Sequence, residues 1–111
     1  MNILFSSQKF KKECNDHRLL TKKQGARRAK KLRSRLDDLR AAANLGMMRY
    51  LPGRCHELKG NRAGQLSLDL DHPYRLIFKP ANNPVPSKED GGLDWKGVTS
   101  VLIIGVEDTH E

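Results

Sequence analysis

The stretch LSLDLDHPYRLIFK, residues 66–79, decides the fold of this chain. Its first half alternates leucines with polar residues, and after a turn at Asp71–Pro73 an aromatic residue or a leucine again occupies every second position. A period of two residues is typical of a strand with one buried face, and Asp-His-Pro favours a turn. The stretch therefore predicts an antiparallel hairpin whose polar face carries Arg75 and Lys79.

Upstream of the hairpin, the first fifteen residues predict a strand and a short helix. Asn2–Phe5 alternates polar with apolar residues, as a short strand does. Ser6 or Ser7 then offers an N-cap for one or two helical turns that end near Cys14.

A longer helix follows. Thr21 and Gln24 match a capping box, in which each side chain bonds to the other residue's backbone amide. Apolar residues then recur every three or four positions up to Gly46, which favours the end of a helix. The predicted apolar stripe consists of Ala26, Ala29, Leu32, Leu36, Leu39 and Ala43.

Downstream of the hairpin, the sequence predicts a loop and a buried strand. Residues 80–97 are rich in Pro, Gly and Asn and show no periodicity, whereas Val98–Val106 is an apolar run long enough for a central strand. The element order predicts an α+β fold: a short N-terminal strand and two helices packed on a mostly antiparallel sheet of four to five strands. With 111 residues, the chain is expected to form one domain spanning 1–111.

Charge is distributed unevenly along the chain. Residues 1–62 hold 17 Lys and Arg against 5 Asp and Glu, although the whole chain has a net charge of +8. Nine basic and no acidic residues lie between Arg18 and Arg35, including the pairs Arg27-Arg28 and Lys30-Lys31. Such a run is usually a solvated helix face, but without acidic partners it favours a surface that contacts a polyanion. Aromatic residues are only 5% of the chain, so phosphate contacts are expected rather than base stacking.

Other classes of protein are disfavoured. The longest apolar run is far shorter than the roughly 20 residues that span a bilayer, so we expect a soluble, cytoplasmic protein without a membrane partner. Cys14 and Cys55 form neither a disulfide framework nor a C-x-x-C pair.

Two polar clusters lie where predicted strands enter or leave the core. The first is the run His56–Arg62, which Arg75 joins from the hairpin, and the second is the tail Glu107–His110. If the strands pair as predicted, the tail reaches the face that carries Arg75. Together they suit metal-free RNA cleavage, in which histidines transfer protons near neutral pH and arginines stabilise the negative phosphorane.

These residues also fit structural roles. A lone histidine such as His56 is more often a hydrogen-bonded structural residue, and Lys59–Asn61 has the composition of a turn. A zinc site formed by Cys55, His56 and His110 lacks the usual ligand spacing and a fourth ligand.

The second half of the chain resembles the HigB branch of the RelE/ParE toxin superfamily. The resemblance runs from about residue 54 to the end and includes the loop before the last strand. Its motifs are His56-x-Leu58-Lys59-Gly60-x-Arg62-x-Gly64, Ser67, Tyr74-Arg75-Leu76-x-Phe78 and Val106-Glu107-Asp108-x-His110.

The resemblance implies an endoribonuclease that cuts messenger RNA in the ribosomal A site without a cofactor. A cognate helix-turn-helix antitoxin of the HigA type would hold it inactive. The residues that correspond to catalytic positions are His56, Lys59, Arg75, Asp108 and His110. Arg62 is a weaker correspondence and is assigned, with Lys79 and the basic helical residues Arg27, Arg28, Lys30 and Lys31, to RNA binding.

One departure from the family pattern keeps alternatives open. Thr109 occupies the position where many relatives have a tyrosine, which puts base preference and rate in doubt. One alternative is a ParE-like toxin that acts on a protein target such as gyrase, although such chains generally lack the His-x-x-Lys and Asp-x-His motifs. Another is an inactive relative that only binds.

Overall fold

The predicted hairpin forms two of the five strands of a mixed sheet. The structure is a computed structural model, and it describes residues 1–108. In chain order the strands are β1 (Asn2–Phe5), β2 (His56–Glu57), β3 (Leu66–Asp69), β4 (Tyr74–Pro80) and β5 (Ser100–Asp108). Their order in the sheet is β1-β5-β4-β3-β2, with β1 parallel to β5 and every other pair antiparallel. The predicted α+β fold is confirmed.

Three helices, rather than the predicted two, precede the hairpin: α1 (Gln8–Cys14), α2 (His17–Gln24) and α3 (Ala26–Ala41). Ser7 caps α1 as expected, since its hydroxyl accepts a hydrogen bond from the amide of Phe10 at 3.2 Å. The capping box at Thr21 is wrong because Thr21 lies inside α2. Asp16 caps that helix by accepting from the amide of Leu19 at 3.1 Å. Gly25, at φ +83°, separates α2 from α3.

The core lies between α3 and one face of the sheet. Ala29, Leu32, Leu36 and Leu39 of the predicted stripe are buried, whereas Ala26 and Ala43 at its ends are exposed. The helix ends at Ala41 rather than at Gly46, and a 3₁₀ helix at Leu45–Tyr50 follows it. On the sheet, the alternating residues of the hairpin pack against this stripe, among them Leu66, Leu68, Leu76 and Phe78.

The opposite face of the sheet, here called the site face, is partly covered by residues 58–64. The side chain of Arg62 in this segment pairs with Glu107 on β5 and so links the segment to that strand. Ser67 and Ile77 point to this face by alternation and are nevertheless fully buried. The prediction of a wholly solvated second face is therefore wrong at these two positions.

The long loop between β4 and β5 is anchored to β2. Trp95 lies in a 3₁₀ turn at Trp95–Gly97, and its indole N–H donates to Glu57 Oε2 at 2.9 Å. The Arg49 guanidinium lies 4.1 Å from the centre of the indole ring. Within the part of the chain that the structure describes, no helix has the length and apolar character to cross a bilayer.

Candidate active site

Strand register brings ionisable residues from three strands into one row. Asp69 on β3 is the register partner of Arg75 on β4, and Arg75 is the partner of Glu107 on β5. His56 pairs with Ser67 in the next row on the same face. The two rows are two residues apart along the strands, or about 7 Å. The site face thus carries both His56 and Arg75, which lie two strands and one row apart.

Arg75 is held beside a carboxylate that a second arginine shares. Its Nε lies 3.6 Å from Asp69 Oδ1, and the Arg75 side chain is only 11% exposed. Arg54 approaches the same carboxylate, with Nε 3.0 Å from Oδ2 and a terminal nitrogen 3.4 Å from Oδ1. Asp69 therefore lies between two guanidinium groups at the end of the sheet.

The protonation pattern of His56 follows from its hydrogen bond. Its Nδ1 lies 2.8 Å from the backbone carbonyl oxygen of Arg54, and a carbonyl can only accept. Nδ1 therefore carries the hydrogen, and Nε2 holds the lone pair when the ring is neutral. Ser67 Oγ lies 3.5 Å from each ring nitrogen. A half-buried histidine held in this way can accept a proton at Nε2.

The segment that carries Lys59 and Arg62 is fastened across the sheet. The two terminal nitrogens of Arg62 each lie 2.8 Å from one carboxylate oxygen of Glu107. Because Glu107 balances the charge of Arg62, this arginine serves as a link between the segment and β5. Lys59, just before the 3₁₀ turn at Gly60–Arg62, is exposed.

The tail residues predicted to complete the site are only partly described. Asp108 is the register partner of Tyr74, one position beyond the pair of Arg75 and Glu107. Since neighbouring residues of a strand point to opposite faces, this position belongs to the helix-side face rather than to that of Arg75. Thr109 and His110 lie outside the described residues.

The basic residues of α3 divide into two groups. Arg28 forms an ion pair with Asp71, with Nε 3.0 Å from Oδ1, and its guanidinium lies 3.4 Å from the centre of the Tyr74 ring. It therefore connects α3 to the hairpin. Arg27 and Lys30 are exposed, and Lys31 is half-buried.

Two further basic residues lie outside these groups, one on α3 and one on the site face. Arg35 of α3 donates from Nε to the backbone oxygen of Asp69 at 2.9 Å, so α3 adjoins the charged row. Lys79 is exposed on β4 and shares the site face with Arg75.

The cysteines contribute no reactive thiolate. Burial raises the pKa of Cys14 to about 12, with a smaller effect of Glu13 in the same direction. Burial likewise raises the pKa of Cys55, which precedes His56, to about 12. Among residues 1–108, no group of three or more His, Cys, Asp and Glu side chains could hold a metal ion.

Sequence reasoning missed Arg54 and Asp69. The pairing of Asp69 with Arg75 could have been found by extending the hairpin register outward from the turn at 71–73. No comparable signal marks Arg54, whose position depends on the backbone conformation of the preceding turn.

Solved structures of YoeB/ParE toxins share this fold of a mixed sheet with helices. The chain is similar to a YoeB/ParE toxin from Agrobacterium tumefaciens, with a TM-score of 0.58 and 14% identity over 99% of this chain and 100% of that one. It is also similar to chains of a YoeB–YefM complex and of a YoeB dimer from Staphylococcus aureus, with TM-scores of 0.55 and 0.52 and identities of 20% and 21%. Both of these alignments cover 100% of this chain and 98% of the other. No protein-family model matches the chain, and neither does any curated protein.

Proposed function

We propose that this chain is the toxin of a type II toxin–antitoxin pair and that it cleaves messenger RNA on the ribosome. The proposal rests on the orientation and the position of His56. Its Nε2 is the nitrogen that can accept a proton, and the residue lies on the same sheet face as Arg75. The fold supports it, since one similar structure holds YoeB with YefM as a toxin–antitoxin complex.

The reaction needs two proton transfers and a group that stabilises charge. His56 Nε2 takes the proton from a 2′-hydroxyl, and the resulting oxygen attacks the adjacent phosphorus. Arg75 stabilises the extra negative charge of the phosphorane. The bond to the 5′-oxygen then breaks, and that oxygen gains a proton from His110, a role that rests on the family resemblance. The products are a 2′,3′-cyclic phosphate and a 5′-hydroxyl.

The remaining site residues have supporting roles in this proposal. Lys59, exposed at the edge of the covering segment, contacts the phosphate on one side of the cut. The role of Asp108, which is to orient the ring of His110, rests on the family resemblance alone, since the strand register places Asp108 on the helix-side face. Neither role requires a metal ion or an organic cofactor.

Binding to the ribosome is proposed to involve the basic face of α3. Arg27, Lys30 and Lys31 stand on the helix whose Arg35 contacts the backbone of Asp69, and Lys79 is a separate basic residue on the site face. Arg28 and Arg62 are engaged with Asp71 and Glu107 and are not needed as primary phosphate contacts. A small antitoxin of the helix-turn-helix type is the partner we propose in the resting state.

The test is cleavage of a defined messenger on purified ribosomes, with the RNA ends mapped. We expect products with a 2′,3′-cyclic phosphate, and a loss of about a hundred- to ten-thousand-fold for His56→Ala or His110→Ala. Arg75→Ala should lose about a hundred- to a thousandfold. His17→Ala, a change of an exposed histidine on α2, is the matched control and should cleave normally.

Three outcomes would contradict parts of this proposal. Cleavage of free RNA at the same rate as RNA on the ribosome would contradict the proposed dependence on the ribosome. Full activity of both histidine variants would contradict the assigned site. Intact messengers together with defective DNA supercoiling would instead favour the ParE-like alternative.

A further inference from the structure

Asp69 contacts four groups that surround the candidate active site. Its carboxylate binds the guanidinium of Arg54 at 3.0 and 3.4 Å, and Arg75 Nε lies 3.6 Å away. Its backbone amide donates to the carbonyl of Gly53 at 2.7 Å, and its backbone oxygen accepts from Arg35 at 2.9 Å. One residue thus connects α3, the turn before β2 and the hairpin.

The turn at Gly53 and Arg54 has a tightly defined shape. Both residues have positive φ angles, +113° and +50°, and a Cβ at position 53 would lie 2.7 Å from Arg35 Nε. Left-handed backbone is uncommon for a residue other than glycine, so the surrounding contacts must hold Arg54 in place. This conformation directs the Arg54 carbonyl to His56 and its side chain to Asp69.

The exposure of the Arg54 side chain argues against a purely stabilising role for its ion pair with Asp69. The Arg54 side chain is 60% exposed, and exposed ion pairs contribute little to the free energy of unfolding. A small cleft of about 90 Å³ opens between Arg54, Asp69, Tyr74 and Arg75. Both guanidinium groups line this cleft, and a guanidinium group can bind phosphate oxygens through paired N–H donors.

We propose that Asp69 is a positioning residue that aligns Arg54 and Arg75 as a pair of phosphate-binding groups, with Arg54 as a second contact to the phosphate being cleaved. This inference rests on the proposed function, since it assigns the pair to the same RNA site. Without the carboxylate the two guanidinium groups would repel each other, and the long side chain of Arg54 would occupy many rotamers.

The first test compares Asp69→Asn with Asp71→Asn. Asp71 is a matched control because it also binds an arginine through both of its carboxylate oxygens, but that arginine is Arg28 on α3. We expect Asp69→Asn to lower the single-turnover cleavage rate about ten- to a hundredfold with less than a threefold change in KM. Asp71→Asn should lower the thermal midpoint at least as much and cleave within twofold of wild type.

A double-mutant cycle tests whether Asp69 acts through Arg75. We expect Asp69→Asn to slow an Arg75→Ala variant by less than threefold, because the group that it positions is already missing. If the double variant is slower than wild type by the product of the two single-variant effects, the inference is overturned. Cleavage by Asp69→Asn within twofold of the wild-type rate would also overturn it. If Asp69→Asn fails to fold, Arg54→Gln, a change on an exposed side chain, should still slow cleavage at least tenfold.

A measurement without cleavage separates this inference from the proposed function. Inorganic phosphate is titrated into the wild-type protein while the side-chain Nε–H signals of Arg54 and Arg75 are followed by NMR. Both signals should shift with one affinity, and in Asp69→Asn this affinity should fall at least fivefold. Wild-type protein that binds phosphate in this way but cleaves no RNA would contradict only the proposed function. Wild-type protein that cleaves RNA while phosphate shifts neither signal would contradict only the inference.

Discussion

Replacing Gly53 by alanine tests the shape of the turn that precedes β2. The new residue must keep φ near +113°, a strain of roughly 1–3 kcal/mol. Its Cβ would lie 2.7 Å from Arg35 Nε and 2.9 Å from Leu68 Cδ2, and relieving such overpacking costs about 1–3 kcal/mol more. The lower entropy of the unfolded alanine chain offsets about 0.4–1 kcal/mol of this. We expect a loss of about 3 kcal/mol in the free energy of unfolding.

Urea unfolding followed by tryptophan fluorescence gives the measurement, since Trp95 is the single tryptophan and is buried. Gly91→Ala is the matched control because Gly91 has φ +90° but nothing within 4 Å of its Cβ position. The Gly91→Ala variant should lose only about 1 kcal/mol in the free energy of unfolding, because backbone strain is its only cost. Equal losses for the two variants would refute the reasoning, since the contacts at position 53 would then contribute nothing.

Three further predictions concern the covering segment, the thiols and the basic helix. Arg62→Ala removes the ion pair to Glu107 on β5, so it should lower the free energy of unfolding by about 1 kcal/mol and speed amide hydrogen exchange in residues 58–64. Unchanged exchange would contradict the role of Arg62 as a link. With thiol pKa values of about 12 instead of 9, Cys14 and Cys55 should react with a disulfide reagent at pH 8 about ten- to a hundredfold more slowly than an exposed thiol, and faster as pH rises. Rapid labelling of the folded protein would contradict this prediction. Arg27→Glu with Lys30→Glu should weaken ribosome binding and lower its salt slope by about one for each lost phosphate contact, whereas an unchanged slope would indicate a merely solvated face.

The sheet could be predicted wherever a local pattern determines it. The alternation in residues 66–79 identified β3, β4 and their buried face, and the apolar run before Val106 identified β5. The burial of Ser67 and Ile77 could not be predicted in this way, because alternation alone places both residues on the polar face.

The helices show how two local signals can compete. The residues at Thr21 and Gln24 fit a capping box, but Asp16 provides a cap five residues earlier and Gly25 ends the helix that begins there. The spacing of the leucines in α3 was nevertheless sufficient to identify its buried face, since that face follows from helical periodicity alone.

The candidate site was predictable only in part. The position of Arg75 on the site face follows from strand periodicity, whereas the arrangement of Asp69 and Arg54 depends on register and on two positive φ angles. The role of His110 stays a prediction, because that residue lies beyond the described part of the chain.

The central position of β5 has a consequence for the chain while it is being synthesised. β5 joins β1 to β4, so the sheet is continuous only when residues 100–108 are in place. A polypeptide that ends before residue 107 also lacks the ion pair between Arg62 and Glu107. The sheet, and with it the face that carries Arg75, is therefore complete only after residues 100–108 have been synthesised.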